Sequence, residues 1–408
     1  TGSNGKTSCS LMLREIFLAA GEDPGLIGTV LYSSKKSQKS AALTTPDATE
    51  LQALFAEMRD AGNHYVIMEV SSIGRAQYRD AGTHYKVVAF NNISREHIDY
   101  HGSFEAYFAA KKSLIMSADP DSYVILNADD PHVISLASEC PGKLITVGHR
   151  KGADVRAENL VVPSGFPSFD IKISKRIRPG LLPHERKLHL ALNVPGYHSM
   201  MNALAAVAMA LAHHLDAEAI VKGLTQFHGV ERRFQNVFSG KFRVFDDHFA
   251  NPGNIKLTLE TLNAMPFKHL RLVYALRGNR GVTVCRESLE ELFRFKELLK
   301  KSSIYATCST EVVSERNKVQ DDERACFREM MAKEGLAYTK DERLEDAICR
   351  ALDEVEHGDV ILLAGCQGMD AGARLLLEEL SRRHPAWSKE ELMAPLRDRV
   401  CGQPGELA

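Results

Sequence analysis

The chain has 408 residues, 44% hydrophobic and 25% charged, which excludes a disordered polymer and leaves material for more than one buried core. Its 51 basic and 53 acidic residues nearly cancel and form no long block of one sign, so charge gives no case for nucleic acid or an anionic membrane as partner. Eight cysteines without CxxC spacing suit neither a zinc site nor a disulfide framework and imply a reducing, cytoplasmic setting.

The chain opens on Thr1-Gly2-Ser3-Asn4-Gly5-Lys6-Thr7-Ser8, the pattern of a phosphate loop, followed by a helix predicted over 8–20. The strand that normally leads into such a loop would lie before Thr1, so the numbering is expected to start inside a longer polypeptide. Short β-rich runs at 66–70, 87–90 and 123–126 alternate with helices predicted at 48–61 and 103–116, a pattern that predicts a parallel sheet. Residues 155–194 alternate apolar and polar positions and are expected to form a small antiparallel insert. The helix predicted over 199–213 contains the most apolar stretch, 200–211, which includes Asn202 and falls short of the roughly 20 residues needed to span a bilayer.

A helix at 217–225 and a basic, turn-like stretch at 237–241 place a boundary between domains 1–237 and 238–408. A second α/β unit follows, with strands predicted at 242–246, 270–275, 303–307 and 359–364, and helices at 253–263, 287–300, 322–334 and 343–355. The expected fold class is α/β: a P-loop central domain with a parallel sheet, plus a C-terminal Rossmann-like α/β domain.

In the loop, successive backbone N–H groups and the positive end of the helix suit a polyphosphate, and Gly2 and Gly5 let the backbone approach it, with Asn4 and Ser8 completing the loop. Lys6 is expected to meet β- and γ-phosphate oxygens and Thr7 to ligate magnesium. Glu69, at the end of its strand, can reach a metal held there, and His97 follows the next strand. Glu69 also suits an ion pair with a structural cation, and His97 a helix cap. Nucleotide binding alone leaves a kinase or a switch protein open.

The runs TGSNGKTS, MEVSSIGRAQYR, FNNISREHIDYHGSFEAYFAAKK, VILNADDP and PGYHSMMNALAA, in that order, resemble the central domain of Mur ligases, nearest to the branch that adds the third amino acid to the muramyl peptide. The resemblance runs from Thr1 to about Val237. It implies ATP and Mg2+ as cofactors, a small-molecule or peptide substrate carrying a carboxylate, an amine co-substrate, and an amide bond made through an acyl phosphate. By position it implies Lys6, His97 and Lys111 as catalytic residues, and Thr7, Glu69, His97 and a carbamoylated Lys111 as metal ligands. Asn202 falls on an adenine-contacting asparagine, Arg233 on an arginine that reaches ATP, and Asp247 on a ribose-contacting aspartate. Thr44, Thr45, Ser72, Gln77 and Arg79 fall on acceptor-contacting positions.

The chain departs from the family pattern in places: His198 replaces an asparagine, Arg232 a glycine, Ile73 a histidine, and Ala250 stands where the family has histidine. The Asp-Asn-Pro-Arg sequence that grips diaminopimelate is absent, residues 308–313 reading Cys-Ser-Thr-Glu-Val-Val, and the segment 364–370 lacks Lys-Gly-His-Glu. After the strand at 270–275, Arg277 and Arg280 suit phosphate, a substrate carboxylate or a solvated turn equally. Three other readings stay open: within the ligases, one resembling the Mur-like part of cyanophycin synthetase; outside them, a non-catalytic ATP-binding partner subunit and a phosphate-loop kinase acting on a small molecule.

Overall fold

The computed structural model describes residues 1–94, 96–177, 186–249, 252–397 and 399–402, with the side chains at 99 and 164 outside that description. Two compact units make up the chain, Thr1–Phe227 and His228–Ala408.

In the first unit, β1 (Gly25–Ile27), β2 (Leu31–Ser33), β3 (Gln38–Ser40) and β4 (Val66–Met68) form a sheet of order β3-β2-β1-β4, in which β1 and β4 are parallel. A second sheet contains β5 (Val87–Phe90), β6 (Tyr123–Asn127), β7 (Lys143–Gly148), β8 (Val155–Val161), β9 (Ser168–Ile173) and β10 (Lys187–Ala191), in the order β10-β9-β8-β7-β6-β5. Strands β5 to β8 are parallel and β8 to β10 antiparallel. The expected parallel sheet is present as β5 to β8, extended by antiparallel strands, beside a second, mixed sheet. The expected insert is no insert: Val147 pairs with Val155 in parallel, so the antiparallel strands extend the same sheet. A cavity of about 330 Å³ lies between β4 and β5, bounded by Ile67, Met68, Val87 and Val88 and by Lys6 and Glu69, two of the candidate site residues.

Two helices fix the phosphate loop from behind. Tyr197–Ala212 is buried on nearly every side, Ala203, Leu204, Ala206, Val207 and Ala210 being fully buried, which is the pattern of a core helix. Helix Lys6–Ala19 packs on Ala217–Gln226 at a glycine: a Cβ on Gly223 would lie 2.5 Å from Ile16 Cα, so no larger residue allows this approach without moving the loop's helix.

The second unit is doubly wound. Strands β11 (Gln235–Ser239), β12 (Arg243–Asp247), β13 (Leu270–Ala275), β14 (Ser302–Thr307), β15 (Thr339–Asp341) and β16 (Val360–Gly365) lie in the order β11-β12-β16-β13-β14-β15, parallel except for β11. β13 and β16 are buried at every residue, as central strands covered on both faces by helices must be. The expected boundary at 237/238 would cut β11, whose Gln235 pairs with Asp246; the units part instead between Phe227 and His228. The stretch read as turn-like, 237–241, overlaps that strand for the same reason.

Candidate active site

The loop is set by two left-handed or extended glycines and one arched lysine. Gly5 (φ 82°) precedes helix Lys6–Ala19, and a Cβ there would fall 2.1 Å from Asn202 Oδ1, so the position requires glycine for both backbone and space. Lys6 Nζ folds back onto the carbonyls of Gly2 (2.9 Å) and Ser3 (3.0 Å), which carries its charge over the loop. The first-turn N–H groups of the helix, from Lys6 to Ser8, have no intrahelical acceptor by helical geometry and form the floor of an anion site. Neighbouring segments brace the loop: Asn4 N–H donates to Asn92 Oδ1 (2.9 Å), and Ser3 Oγ meets Ser94 O (3.1 Å) and Tyr107 OH (2.8 Å). Asn202 sits beneath it, 7% exposed, its Oδ1 accepting from Asn91 Nδ2 at 2.8 Å. As described, then, Asn202 supports the loop.

Glu69 follows β4 and is 3% exposed. Its Oε2 accepts from Thr7 Oγ1 (3.0 Å) and Thr29 Oγ1 (2.9 Å), and its Oε1 from Thr29 N–H (2.9 Å). Thr29 Oγ1 in turn meets Thr44 Oγ1 at 3.1 Å, which links the expected acceptor side to the phosphate loop through one carboxylate. Gly28 makes this possible, since a Cβ there would lie 2.4 Å from Glu69 Oε1. Sequence reasoning missed Gly28 and Thr29, for nothing local marks them beyond a Gly-Thr pair after β1.

Lys111 is 1% exposed in helix Phe104–Met116 and donates to the same Gly2 carbonyl as Lys6, at 2.8 Å. Burial, reinforced by the charge of Lys6, pulls its ammonium pKa from the ordinary 10.5 down to about 7. Its Nζ lies 4.8 Å from the centre of the Tyr107 ring. Tyr107 is another residue the sequence reading passed over, although its i, i+4 spacing from Lys111 was a signal. On the other side of Tyr107 lies His97, exposed, left-handed at φ 52°, with ring centroids 6.1 Å apart. His97 occupies the N-cap of the short helix Ile98–His101 without a side-chain capping bond. The four expected metal residues therefore fall into two sets, Thr7 with Glu69, and Lys111 with His97 about Tyr107, joined by the loop.

The expected acceptor residues cluster next to Glu69. Thr45 is fully buried: its Oγ1 donates to Glu69 O (3.0 Å) and accepts from Ser71 N–H (2.9 Å). Ser72 is buried too and bonds His101 Nε2 (3.1 Å). Arg79 donates to Thr45 O (2.8 Å) and Gln77 Oε1 (2.8 Å) and pairs with Asp47 (3.2 Å), while Gln77 Nε2 donates to Tyr100 OH (3.0 Å).

In the second unit Arg233 is exposed. Asp247 is not: it is 1% exposed and its carboxylate accepts the N–H groups of Phe234 (2.8 Å) and Phe249 (3.0 Å), with burial raising its pKa to about 6. Ala250 lies outside the described residues. After β13, the turn 279–281 is held by three backbone N–H groups donating to the buried Glu323 carboxylate, at 2.7 to 2.9 Å, and Arg280 is left exposed there.

The relatives of this chain make it an ATP-dependent ligase that joins a carboxylate to an amine. Residues 1–210 match the family model described as Mur ligase middle domain, and residues 232–367 the one described as Mur ligase, glutamate ligase domain; the chain belongs to the Mur ligase family. It is 31% identical over 375 residues to the UDP-N-acetylmuramoyl-L-alanyl-D-glutamate--2,6-diaminopimelate ligase of Listeria monocytogenes serovar 1/2a, covering 90% of this chain and 72% of that one. The like-named ligase of Halalkalibacterium halodurans is 28% identical over 376 residues, with the same coverage. Among solved structures, a MurF of Acinetobacter baumannii superposes with a TM-score of 0.62 at 17% identity (93% of this chain, 75% of that one). A Mycobacterium tuberculosis folylpolyglutamate synthase complexed with ADP and AMPPCP does so with a TM-score of 0.58 at 19% identity (91% and 88%). These two likenesses show the fold alone. No helix among the described residues is long and apolar enough to cross a membrane.

Proposed function

We propose that the chain extends a muramyl-type nucleotide peptide, the acceptor named in its relatives, by one amino acid in the cytoplasm, with Mg2+ and a carbamoylated Lys111 in the site. The observation that carries this reading is the chain Thr7–Glu69–Thr29–Thr44, which runs from the phosphate loop to the acceptor wall through hydrogen bonds of 2.9 to 3.1 Å. The residues fit a magnesium ion: the hydroxyl of Thr7 and the carboxylate of Glu69 are hard oxygen donors side by side, and such an ion takes its remaining ligands from water and phosphate. Bound there, it neutralises phosphate charge so that a carboxylate can approach the γ-phosphate.

The protein's own groups do the rest. Lys6 holds β- and γ-phosphate oxygens, and Thr29 fixes Glu69 in one orientation. The acceptor carboxylate attacks the γ-phosphorus and ADP leaves; a neutral amine then attacks the acyl carbon, the acyl–oxygen bond breaks as the amide forms, and the departing phosphate carries off the amine's proton. Lys6, already cationic at the loop, stabilises both the transferring phosphoryl group and the tetrahedral anion. The amine is left at the level of an amino acid, because residues 308–313 and 364–370 lack the motifs associated with diaminopimelate. The test is a panel of nucleotide-peptide acceptors and amino acids, read as ATP-dependent mass gain and amine-stimulated ADP release. ADP release indifferent to every amine would defeat the reading.

Lys111 gives a pH prediction. Only a neutral amine adds CO2, and burial makes this one half neutral near pH 7, where an ordinary lysine is less than about one part in a thousand neutral. At fixed dissolved CO2, the 13C-carbamate signal of the whole chain is expected to rise through pH 7 and to disappear in Lys111→Ala. A rise only near pH 10 would count against a buried, activated Lys111.

A further inference from the structure

Ser3 of the phosphate loop is 6% exposed and engaged by both its backbone and its side chain. Its N–H donates to Asn92 O (3.0 Å), and its hydroxyl oxygen accepts Ser94 N–H (2.9 Å). Two further oxygens stand within reach of that hydroxyl, Tyr107 OH at 2.8 Å and Ser94 O at 3.1 Å. A hydroxyl carries one proton and two lone pairs, so one arrangement fulfils all three contacts: Ser3 donates to Ser94 O, and Tyr107 donates to Ser3. Glu96 Oε2, the other acceptor near the Tyr107 hydroxyl, lies at 3.5 Å, the outer limit of a hydrogen bond.

Tyr107 is fully buried, and its ring is confined by its neighbours. Lys111 Nζ stands 4.8 Å from the ring centre, and the rings of His97 and His101 lie at centroid distances of 6.1 and 5.5 Å. One turn apart on helix Phe104–Met116, Tyr107 and Lys111 hold consecutive residues of the loop, Tyr107 the Ser3 hydroxyl and Lys111 the Gly2 carbonyl (2.8 Å). Gly2 and Ser3 also offer their carbonyls to Lys6 Nζ, at 2.9 and 3.0 Å. A lysine that turns to phosphate oxygens gives up at least part of that hold on the loop. The Tyr107 hydroxyl keeps its own, because it meets the Ser3 hydroxyl and not the carbonyls that Lys6 vacates.

We propose that Tyr107 is a positioning residue of the nucleotide site: by holding Ser3 it keeps the phosphate loop in its receiving shape once Lys6 turns from the loop carbonyls to phosphate. This rests on the reading of residues 2–8 as the phosphate site, which the first-turn N–H groups, the glycines and Lys6 support. Every group involved belongs to the first unit. Without the tyrosine hydroxyl a buried lone pair of Ser3 loses its donor. While the site is empty Lys6 still gathers the loop, so the loss falls on the nucleotide-bound state, where ordering the loop is subtracted from affinity.

The test is ATP affinity, measured by calorimetry on the full chain with magnesium, for the parent protein, Tyr107→Phe, Ser3→Ala, their double variant and Lys6→Met. Phenylalanine keeps the ring against Lys111 and removes the hydroxyl alone. Tyr107→Phe is expected to weaken ATP about fivefold and Ser3→Ala about tenfold, with the double variant within about twofold of Ser3→Ala, since the two changes remove one shared bond. Should Ser3→Ala fail to fold, Ser3→Cys, which keeps a weak donor and acceptor, takes its place in the cycle. In steady-state ADP release Tyr107→Phe should raise the KM for ATP about fivefold with kcat within about twofold, and its melting temperature without nucleotide should stay within about 2 °C of the parent. A merely structural tyrosine would lower the melting temperature and leave the affinity of the folded protein unchanged. The proposal is overturned if Tyr107→Phe binds ATP like the parent, if the two losses multiply, or if kcat falls with KM unchanged. Normal ATP binding in Lys6→Met would sink the phosphate-site reading itself, whereas a loss there with none in Tyr107→Phe sinks the positioning role alone.

Discussion

Lys111→Ala is expected to slow ADP release, at saturating acceptor and amine, by about a hundredfold or more, equivalent to roughly 3 kcal/mol of transition-state stabilisation. ATP affinity should stay within about threefold, because the phosphate loop keeps Lys6 and its helix. The reason is chemical. Unmodified, the buried Lys111 amine meets the Gly2 carbonyl and offers no oxygen; as a carbamate it would gain oxygens able to take a metal ion. A short carboxylic acid diffusing into the space left by alanine should restore part of the rate, whereas neither bicarbonate nor such an acid should rescue Lys6→Ala. Full activity in Lys111→Ala, measured by coupled ADP release, would remove the carbamate from the mechanism.

The second large effect is expected at Gly5. Alanine there must hold φ near 82° and bring its Cβ within 2.1 Å of Asn202 Oδ1. The loop can relieve this only by moving away from Asn202 and Asn91, which would disturb the first-turn N–H groups read as the phosphate site. Gly5→Ala should weaken ATP binding by about a hundredfold, near 3 kcal/mol, with little change in melting temperature. Adding Asn202→Ala removes the 2.1 Å contact and should recover part of the loss, the left-handed backbone and the 3.0 Å approach to Asn91 Nδ2 accounting for the remainder. Unaltered nucleotide affinity in Gly5→Ala would mean that this loop is not the phosphate site.

Where a feature is written locally, the sequence disclosed it. The helix Ala48–Ala61 matches its predicted span because Leu51, Leu54 and Met58 recur on one face, and β13 matches because its apolar run is bounded by turn residues. Lys6, Thr7 and Glu69 were legible as motif residues, and the structure joins Thr7 to Glu69 directly. What long-range pairing decides was not legible. β1, β2, β3 and β15 are three residues each, too short for any periodicity, and exist through partners elsewhere in the chain. The alternation over 155–194 fixed which faces are buried and could not say that β8 would join β7. Asn202 was visible on its helix, yet its partner Asn91 is 111 residues distant. Arg232 reads in one dimension as half of a basic pair on a surface; only the approach of Asp246, Asp370 and the β16 loop turns it inward.

The carbonyl of Gly2 receives the side-chain nitrogens of two lysines, Lys6 and Lys111, and on the carbamate reading this sharing bears on an order of events. Repulsion from Lys6, after burial, is part of what lowers the Lys111 pKa; a polyanion seated on Lys6 would offset that repulsion and tighten the proton's hold. On the carbamate reading, the gas is therefore captured most readily by the empty enzyme, before the nucleotide arrives. A cell's dissolved carbon dioxide would then act as a standing requirement for readiness, satisfied ahead of each turnover and not during it.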